Sequence, residues 1–140
     1  MTIPQTGPDA GGDSGGETGK PHVYVPPGET PPADLVIEDL VVGEGRGAAP
    51  DCEVEVHYVG AAWSTRKQFD ASWDRGETFR FTLGSGQVIK GWDEGVAGMA
   101  VGGRRRITIP PRLGYGKAGA GGVIRGGETL VFVVDLVEVR

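Results

Sequence analysis

The sequence has little that points to an oxidising compartment or to a membrane. It contains a single cysteine, Cys52, among 140 residues, so it can form no internal disulfide. No apolar run approaches the roughly 20 residues of a membrane span, and the N-terminus lacks the basic segment and apolar core of a secretion signal. We therefore expect a cytoplasmic protein with no membrane partner.

Positive charge is scarce as well. The formal net charge is −5 and the isoelectric point is near 5.0, whereas nucleic-acid-binding surfaces need clustered Lys and Arg, so we expect no nucleic-acid partner. The one basic run, residues 104–106, precedes the alternating residues 107–109. Period-two geometry predicts that Arg105 shares a face with the two isoleucines and that its neighbours share the face of Thr108. We interpret the run as a solvated strand surface, with a minor role in partner binding as the alternative.

Apolar residues are unevenly distributed along the chain. Residues 1–33 contain seven of the ten prolines and seven of the 26 glycines, but only one aromatic residue, Tyr24. Such a composition buries too little apolar surface to offset the entropy lost on ordering. We therefore predict a flexible, acidic, Gly/Pro-rich tail over residues 1–33 and a single globular domain over residues 34–140.

Beyond the tail, short apolar runs alternate with turn-forming residues. This pattern predicts strands at residues 35–42, 53–59, 78–83, 105–109 and 129–139. In the second of these, Val54, Val56 and Tyr58 share one face, which predicts that Tyr58 points towards the core. The last strand is apolar on both faces apart from Asp135, which is typical of a strand in the middle of a sheet.

One segment, residues 88–99, has a helical pattern. Val88, Trp92, Val96 and Met99 fall on one stripe at intervals of four, four and three. Three glycines in this segment weaken its helix propensity, so its stability must come from packing, with Trp92 as the anchor. The order of elements predicts an α+β fold in which a twisted antiparallel β-sheet, a half-barrel, wraps around one short α-helix.

Familiar cofactor and catalytic motifs are missing or out of context. Residues 114–119 formally match GxGxxG, but residues 120–122 continue as Ala-Gly-Gly, without the helix that a pyrophosphate site needs. His22, His57 and Cys52 form no ligand cluster, and we expect both histidines at the surface. The sequence therefore predicts no metal site, no cofactor and no covalent catalysis.

A different set of residues suggests a binding pocket. If the fold returns them to one concavity, they form a dry cavity suited to an apolar ring such as that of proline. They are Tyr58, Phe69, Asp70, Phe79, Gln87, Val88, Ile89, Trp92, Tyr115, Val123, Ile124 and Phe132.

Eight motifs, in this order and spacing, resemble the FKBP-type peptidyl-prolyl cis-trans isomerases over about residues 34–140. They are Val56-His57-Tyr58-Val59-Gly60, Phe69-Asp70-Ala71-Ser72, Leu83-Gly84, Gln87-Val88-Ile89-Lys90-Gly91-Trp92, Gly95-Val96, Met99, Val101-Gly102 and Tyr115-Gly116. The resemblance implies a monomeric isomerase that assists protein folding and needs no cofactor. It implies proline-containing polypeptides as substrates and tacrolimus- and rapamycin-type macrolides as inhibitors. The alternative is a non-catalytic module that binds proline-containing peptides.

The resemblance also assigns the residues of the site. It implies that Trp92 lies under the proline ring, that Asp70 polarises the reacting imide, and that Tyr115 donates its hydroxyl to the carbonyl following proline. The implied catalytic residues are Tyr58, Asp70, Trp92, Tyr115 and Phe132. The implied substrate-binding residues are Phe69, Arg75, Phe79, Gln87, Val88, Ile89, Val123 and Ile124. Two simpler roles remain open, namely an ion pair of Asp70 with Arg75 and loop packing for Tyr115.

The long, glycine-rich connection at residues 110–128 is predicted to be a binding flap. It departs from the resemblance, because residues 125–127 are Arg-Gly-Gly where many members of the family have one or two prolines, which predicts a more flexible flap. Gln87 replaces a frequently acidic residue and is expected to act through its backbone carbonyl. Trp73 is expected to extend the apolar rim.

Overall fold

The computed structural model describes residues 19–140 as one antiparallel sheet with two short helices. The elements are β1 (Val36–Val41), β2 (Glu53–Ala62), β3 (Gln68–Ala71), α1 (Ser72–Arg75), β4 (Phe79–Thr82), α2 (Lys90–Gly95), β5 (Arg104–Ile109) and β6 (Leu130–Val139). The sheet order is β1-β5-β6-β2-β3, and β4 also pairs with β2. The predicted α+β fold is confirmed, with one addition: α1 is a single helical turn that the sequence pattern did not predict.

Strand β6 occupies the middle of the sheet, as its apolar character predicts. It pairs with β5 on one side and with β2 on the other, and its first five residues are all buried. Because successive side chains alternate between faces, Phe132 faces the main core while Val131 and Val133 face the opposite side. The strand therefore contributes to two apolar clusters at once.

Helix α2 is shorter than the pattern at residues 88–99 predicts, and its glycines explain how it packs. Its buried face consists of Gly91, Trp92 and Gly95. A Cβ at Gly91 would lie 2.5 Å from Ile109 Cγ2, and one at Gly95 would lie 2.9 Å from Ile107 Cδ1. The two glycines thus weaken the helix but allow it to lie directly against β5, which brings Trp92 into the core.

Arg105 corrects the interpretation of the basic run as a solvated surface. Its guanidinium is buried on the helix side of β5, where it pairs with Asp39 at 2.7 Å. It also donates hydrogen bonds to the backbone oxygens of Gly95 (2.8 Å) and Ala97 (3.0 Å). The carbonyls at the end of α2 have no partner within the helix, so a buried cation stabilises them there.

The sheet face opposite α2, here called the outer face, is covered by the N-terminal segment. Val23 and Val25 are buried in a second apolar cluster, and Lys20 pairs with Asp74 at 2.8 Å. The tail was predicted over residues 1–33. Residues 1–18 lie outside the described residues. Within residues 19–29, Val23 and Val25 both point towards the outer face, and the backbone oxygens of Gly19 and Glu29 accept hydrogen bonds from Arg104 (2.9 Å) and Trp63 Nε1 (3.1 Å).

Trp73 and His57 also lie on the outer face. Their rings stack with centroids 4.1 Å apart, and Trp73 packs against the second apolar cluster. The expectation that Trp73 extends the rim of the pocket is therefore wrong. The expectation that both histidines are at the surface holds for His22 but not for His57, which is half-buried beneath the indole.

Candidate functional site

The floor of the site is a group of aromatic rings around Trp92. Its indole is fully buried. Tyr58 from β2, Phe132 from β6 and Phe79 from β4 approach it with ring centroids at 4.9, 5.3 and 5.9 Å, all near edge-on. Edge-to-face packing of this kind adds to the stabilisation from burial. The inward direction predicted for Tyr58 is confirmed, and the rings form a rigid apolar floor.

Phe81 belongs to the same group, although the sequence reasoning did not include it among the site residues. Its ring stacks on Phe79 at 5.7 Å and lies 5.6 Å from Trp92. The signal was present, because Phe79 and Phe81 are two positions apart on one strand and so share a face. Phe81 supports the floor from beneath.

One wall of the site depends on a bulge in β3. Gly60 pairs with Asp70 but Ala61 pairs with Gln68, so Phe69 is an extra residue on its strand. A bulge lets two consecutive side chains serve the same side of the sheet, and Phe69 accordingly meets Phe132 at 5.6 Å. Gly60 makes room for this contact, because a Cβ there would lie 2.6 Å from Phe132 Cε1.

Asp70 is a buried carboxylate with two strong donors. The Tyr58 hydroxyl donates to Oδ2 at 2.6 Å, and Arg75, at the end of α1, donates to Oδ1 at 2.5 Å. Arg75 also donates to the Tyr58 oxygen at 2.8 Å. The ion pair anticipated for Asp70 and Arg75 therefore exists, and the three side chains form one closed network that satisfies the buried charge.

This network shifts the pKa values of Tyr58 and Arg75. Burial and the adjacent Asp70 carboxylate raise the pKa of the Tyr58 phenol far above its ordinary value, so the phenol remains a donor. Desolvation tends to lower the pKa of Arg75, but hydrogen bonds with Tyr58 and Asp70 outweigh it and the net pKa is raised. Asp70 is thus held between a neutral phenol and a permanent cation.

Ser72 holds the network from the outer face, a role that no sequence signal predicted. Its Oγ accepts a hydrogen bond from the Tyr58 backbone N–H at 2.7 Å and lies 2.8 Å from His57 Nδ1. Ser72 is completely buried and begins α1. It therefore ties the backbone of Tyr58 to the helical turn that carries Arg75.

The predicted flap is a hairpin between β5 and β6, and we use the name flap for residues 111–127. It begins with a 3-10 turn, Pro111–Leu113. Ala120 and Ile124 exchange two backbone hydrogen bonds of 2.7 and 3.1 Å, and the Gly127 N–H donates to Gly116 O at 2.8 Å. Backbone pairing thus closes the flap although prolines are missing from residues 125–127.

The structure brings most of the anticipated residues together. One apolar cluster contains Tyr58, Phe69, Phe79, Val88, Ile89, Trp92, Tyr115, Ile124 and Phe132. Asp70 and Arg75 join it through Tyr58. Val123 is 48% exposed at the rim, and the exposed Gln87 directs its Oε1 to the Thr82 N–H at 2.8 Å. These last two side chains lie outside the cluster.

The site offers an apolar floor, a carboxylate paired with Arg75 on one wall and a flap above them. Among residues 19–140, no group of three or more His, Cys, Asp or Glu side chains is arranged to hold a metal ion. In the same part of the chain, neither helix has the length and apolar character needed to cross a membrane. The arrangement can desolvate an apolar ring and place one polarising group beside it.

Comparison with known proteins gives one consistent family. Residues 44–137 match the model of the FKBP-type peptidyl-prolyl cis-trans isomerases. An FK506-binding protein of Streptomyces anulatus is 59% identical over 121 residues, covering 86% of this chain and 97% of the relative. A probable FK506-binding protein of Corynebacterium glutamicum is 52% identical over 119 residues, covering 85% and 98%.

Solved structures agree with this result. The crystal structure of AtFKBP13 matches with a TM-score of 0.69 and 37% identity, covering 74% of this chain and 91% of the other. That of FkpA from Escherichia coli also has a TM-score of 0.69, with 40% identity, covering 76% and 48%.

Proposed function

The chain belongs to the family of FKBP-type peptidyl-prolyl cis-trans isomerases, and we propose that its catalytic pocket is the aromatic site above Trp92. The observation that carries this proposal is the fully buried indole, surrounded by Tyr58, Phe79 and Phe132 and bordered by the Asp70 carboxylate. In this arrangement the proline ring rests on the indole face. Ile124 and Tyr115 of the flap cover it.

The chemistry follows from the amide bond itself. Amide resonance gives the Xaa-Pro bond a rotational barrier of about 20 kcal/mol. Rotation about it breaks no covalent bond. The planar amide is polar, whereas the twisted amide has lost much of its charge separation. A dry apolar site therefore destabilises the ground state relative to the transition state, which accelerates rotation.

Asp70 supplies the polar part of the mechanism. A fixed negative charge beside the imide favours the redistribution of charge on its carbonyl as the bond twists. Tyr58 and Arg75 hold the carboxylate in one orientation through hydrogen bonds of 2.6 and 2.5 Å. The ion pair with Arg75 is then part of the mechanism, because it positions the charge that acts on the substrate.

The flap and the segment that precedes α2 contribute substrate contacts. The Tyr115 hydroxyl donates to the carbonyl following proline and the backbone N–H of Ile89 donates to a second carbonyl of the peptide. Val123, at the rim, packs against a neighbouring substrate side chain, and Gln87 presents its backbone carbonyl to the peptide. These contacts suit a proline-containing polypeptide in an extended conformation and supply orientation rather than chemistry.

NMR exchange spectroscopy on a Leu-Pro or Phe-Pro peptide tests this assignment. The intact protein is compared with Asp70→Ala and Trp92→Ala at equal concentration, and Asp135→Ala, a carboxylate on the outer face, is the matched control. We expect faster cis-trans exchange with the intact protein and with the control only. Peptide binding without acceleration by the intact protein would instead indicate a module that only recognises proline.

We also propose that tacrolimus- and rapamycin-type macrolides compete with the substrate. Two relatives that share more than half of their aligned residues with this chain are described as FK506-binding proteins, and a pipecolyl ring has nearly the shape of proline. A titration followed by tryptophan fluorescence tests this proposal. Trp92→Phe should lose the signal change, whereas Trp63→Phe should retain it. Absence of binding at micromolar macrolide would count against the pocket.

The cellular role is part of the same proposal. We infer that the enzyme assists folding of proline-containing chains as a cytoplasmic monomer, in keeping with its one free thiol, Cys52. Refolding of a protein whose slow phase is proline isomerisation should accelerate in its presence. Sedimentation and cell fractionation test the oligomeric state and the location separately.

A further inference from the structure

Glu128 lies at the foot of the flap, where only Thr129 separates it from the first residue of β6, and its side chain is only 4% exposed. Glutamate is rarely buried unless it is paired. We propose that Glu128 is a positioning residue: together with Ser64 it forms a clamp that fixes the flap relative to the wall carrying Phe69 and Asp70. This inference rests on the proposed pocket, because the flap matters for catalysis only if substrate binds beneath it.

The contacts of the Glu128 carboxylate are specific. The Ser64 backbone N–H donates to Oε2 at 2.9 Å, and the Ser64 hydroxyl donates to Oε1 at 2.6 Å. Arg125 Nε lies 3.3 Å from Oε1, on a side chain that is 73% exposed. Both oxygens are therefore occupied by one small residue that is 64 positions away in the chain, and such charge-assisted hydrogen bonds are stronger than neutral ones.

Ser64 belongs to the tight turn between β2 and β3. The turn is closed by hydrogen bonds from Ala62 N–H to Lys67 O (3.1 Å) and from Arg66 N–H to Ala62 O (2.8 Å). Strand β3 follows at once and carries Phe69 and Asp70. A carboxylate that binds Ser64 is therefore connected, through a short turn closed by two backbone hydrogen bonds, to the wall of the pocket.

Glu128 is connected to the other side of the pocket through the flap. The neighbouring Gly127 donates its N–H to Gly116 O at 2.8 Å. The flap has two legs, which run through residues 115–119 and residues 124–127. Gly126 lies so close to the other leg that a Cβ there would overlap the backbone oxygen of Lys117. Because the two legs are in contact, a displacement of the foot moves Tyr115 and Ile124 with it.

The sequence of the flap explains why such a clamp is needed. Proline fixes one backbone dihedral angle, but residues 125–127 are Arg-Gly-Gly, and Gly127 has a φ of +75°, which glycine adopts without strain. The backbone at the foot therefore has many accessible conformations. Two hydrogen bonds to the buried Glu128 carboxylate select one of these backbone conformations. Proline could not do so at Gly127, because its ring does not allow a φ of +75°.

Three variants test the clamp in the full-length protein. Glu128→Ala and Ser64→Ala each remove hydrogen bonds of the clamp, whereas Glu128→Gln retains both, since its amide oxygen can accept from the Ser64 N–H and its amide group can donate to Ser64 Oγ. Glu138→Ala, an exposed carboxylate on β6, is the matched control. The measurements are amide hydrogen exchange without peptide, and kcat and KM for an Xaa-Pro peptide.

We expect Glu128→Ala to accelerate exchange of the Gly119, Ala120 and Gly127 amides and to raise KM about fivefold, with kcat changed less than twofold. Ser64→Ala should change the amide exchange rates and KM in the same direction but by less, and Glu128→Gln should have a KM close to that of the unchanged protein. The amide of Val133 in β6 should exchange as in the unchanged protein, which excludes global destabilisation as the cause.

Two results would overturn the inference. Unchanged flap amides in both alanine variants would show that the clamp does not hold the flap. Faster flap exchange with an unchanged KM would show that the clamp holds the flap but does not position it for substrate. Neither result bears on the floor of the pocket, which the Trp92 and Asp70 variants test independently.

Discussion

The floor and the flap of the pocket are stabilised in different ways. The floor consists of rings from β2, β4, β6 and α2, and its central indole is completely buried. The flap is held by backbone hydrogen bonds, by close contact between glycine and backbone, and by one buried carboxylate. Side-chain burial thus holds the floor, whereas hydrogen bonds hold the flap. We therefore expect changes in the floor to affect stability and turnover, and changes in the flap to affect substrate binding.

The largest effect is expected from Trp92→Ala. Removing the indole leaves a cavity among three rings, which should lower the free energy of unfolding by about 3–5 kcal/mol and abolish isomerase activity. Urea unfolding measures the first quantity and peptide exchange the second. Trp63→Ala, a half-buried indole beside the outer face, should cost clearly less and leave activity intact. Equal costs for the two variants would contradict the central place given to Trp92.

Asp70→Asn should reduce turnover more than stability. The amide keeps the shape of the carboxylate but removes the charge that we propose acts on the substrate, so we expect kcat to fall about tenfold or more. KM should change little. Asp135→Asn removes a carboxylate that pairs with Arg104 on the other face and should leave kcat unchanged. Similar kcat values for both variants would mean that Asp70 has only a structural role.

Gly126→Ala tests the flap by its backbone. The added methyl would overlap the oxygen of Lys117 and force the two legs apart, at a cost of about 1–3 kcal/mol. We expect KM to rise several-fold with kcat nearly constant. Gly47→Ala is the control, because the nearest heavy atom to its Cβ would be 3.9 Å away. An unchanged KM in Gly126→Ala would show that the spacing of the legs does not control binding.

The smallest effect concerns His57 on the outer face and depends on pH. Burial lowers the pKa of His57 below its ordinary 6.5, against the opposing effect of Asp135 and Glu55. The unfolded chain therefore takes up the proton first, so the free energy of unfolding should fall as the pH drops below about 6.5. Chemical denaturation between pH 5 and pH 8 should show a shallower slope for His57→Gln than for His22→Gln. Identical slopes would exclude this contribution.

The sequence predicts the floor far better than the walls. A period-two pattern places Tyr58 on the inward face, and the four-residue spacing from Val88 places Trp92 on the buried stripe of α2. These positions follow from the alternation of apolar and polar residues, which reflects burial directly. The central position of β6 follows from its apolar character on both faces.

The remaining features depend on contacts between distant parts of the chain. The bulge at Phe69 depends on the register of β2 and β3, and a local pattern does not specify register. Arg105 is buried because α2 ends above it, and Glu128 because Ser64 meets it from another turn. The apolar part of the contact made by residues 19–29 consists of two valines, too few to stand out against a Gly/Pro-rich background.

The most direct test of the division between the flap and the rest of the pocket, which comprises the floor and the wall that carries Asp70, is NMR line-shape analysis of one Xaa-Pro peptide. It yields the affinity of each isomer and the exchange rate on the enzyme. Asp70→Asn and Tyr115→Phe are compared with the unchanged protein. We predict that Asp70→Asn lowers the exchange rate on the enzyme at nearly constant affinity, and that Tyr115→Phe weakens the affinity for both isomers at a nearly constant rate. If both variants alter the same parameter, the floor and the flap do not have separate roles and the account is wrong.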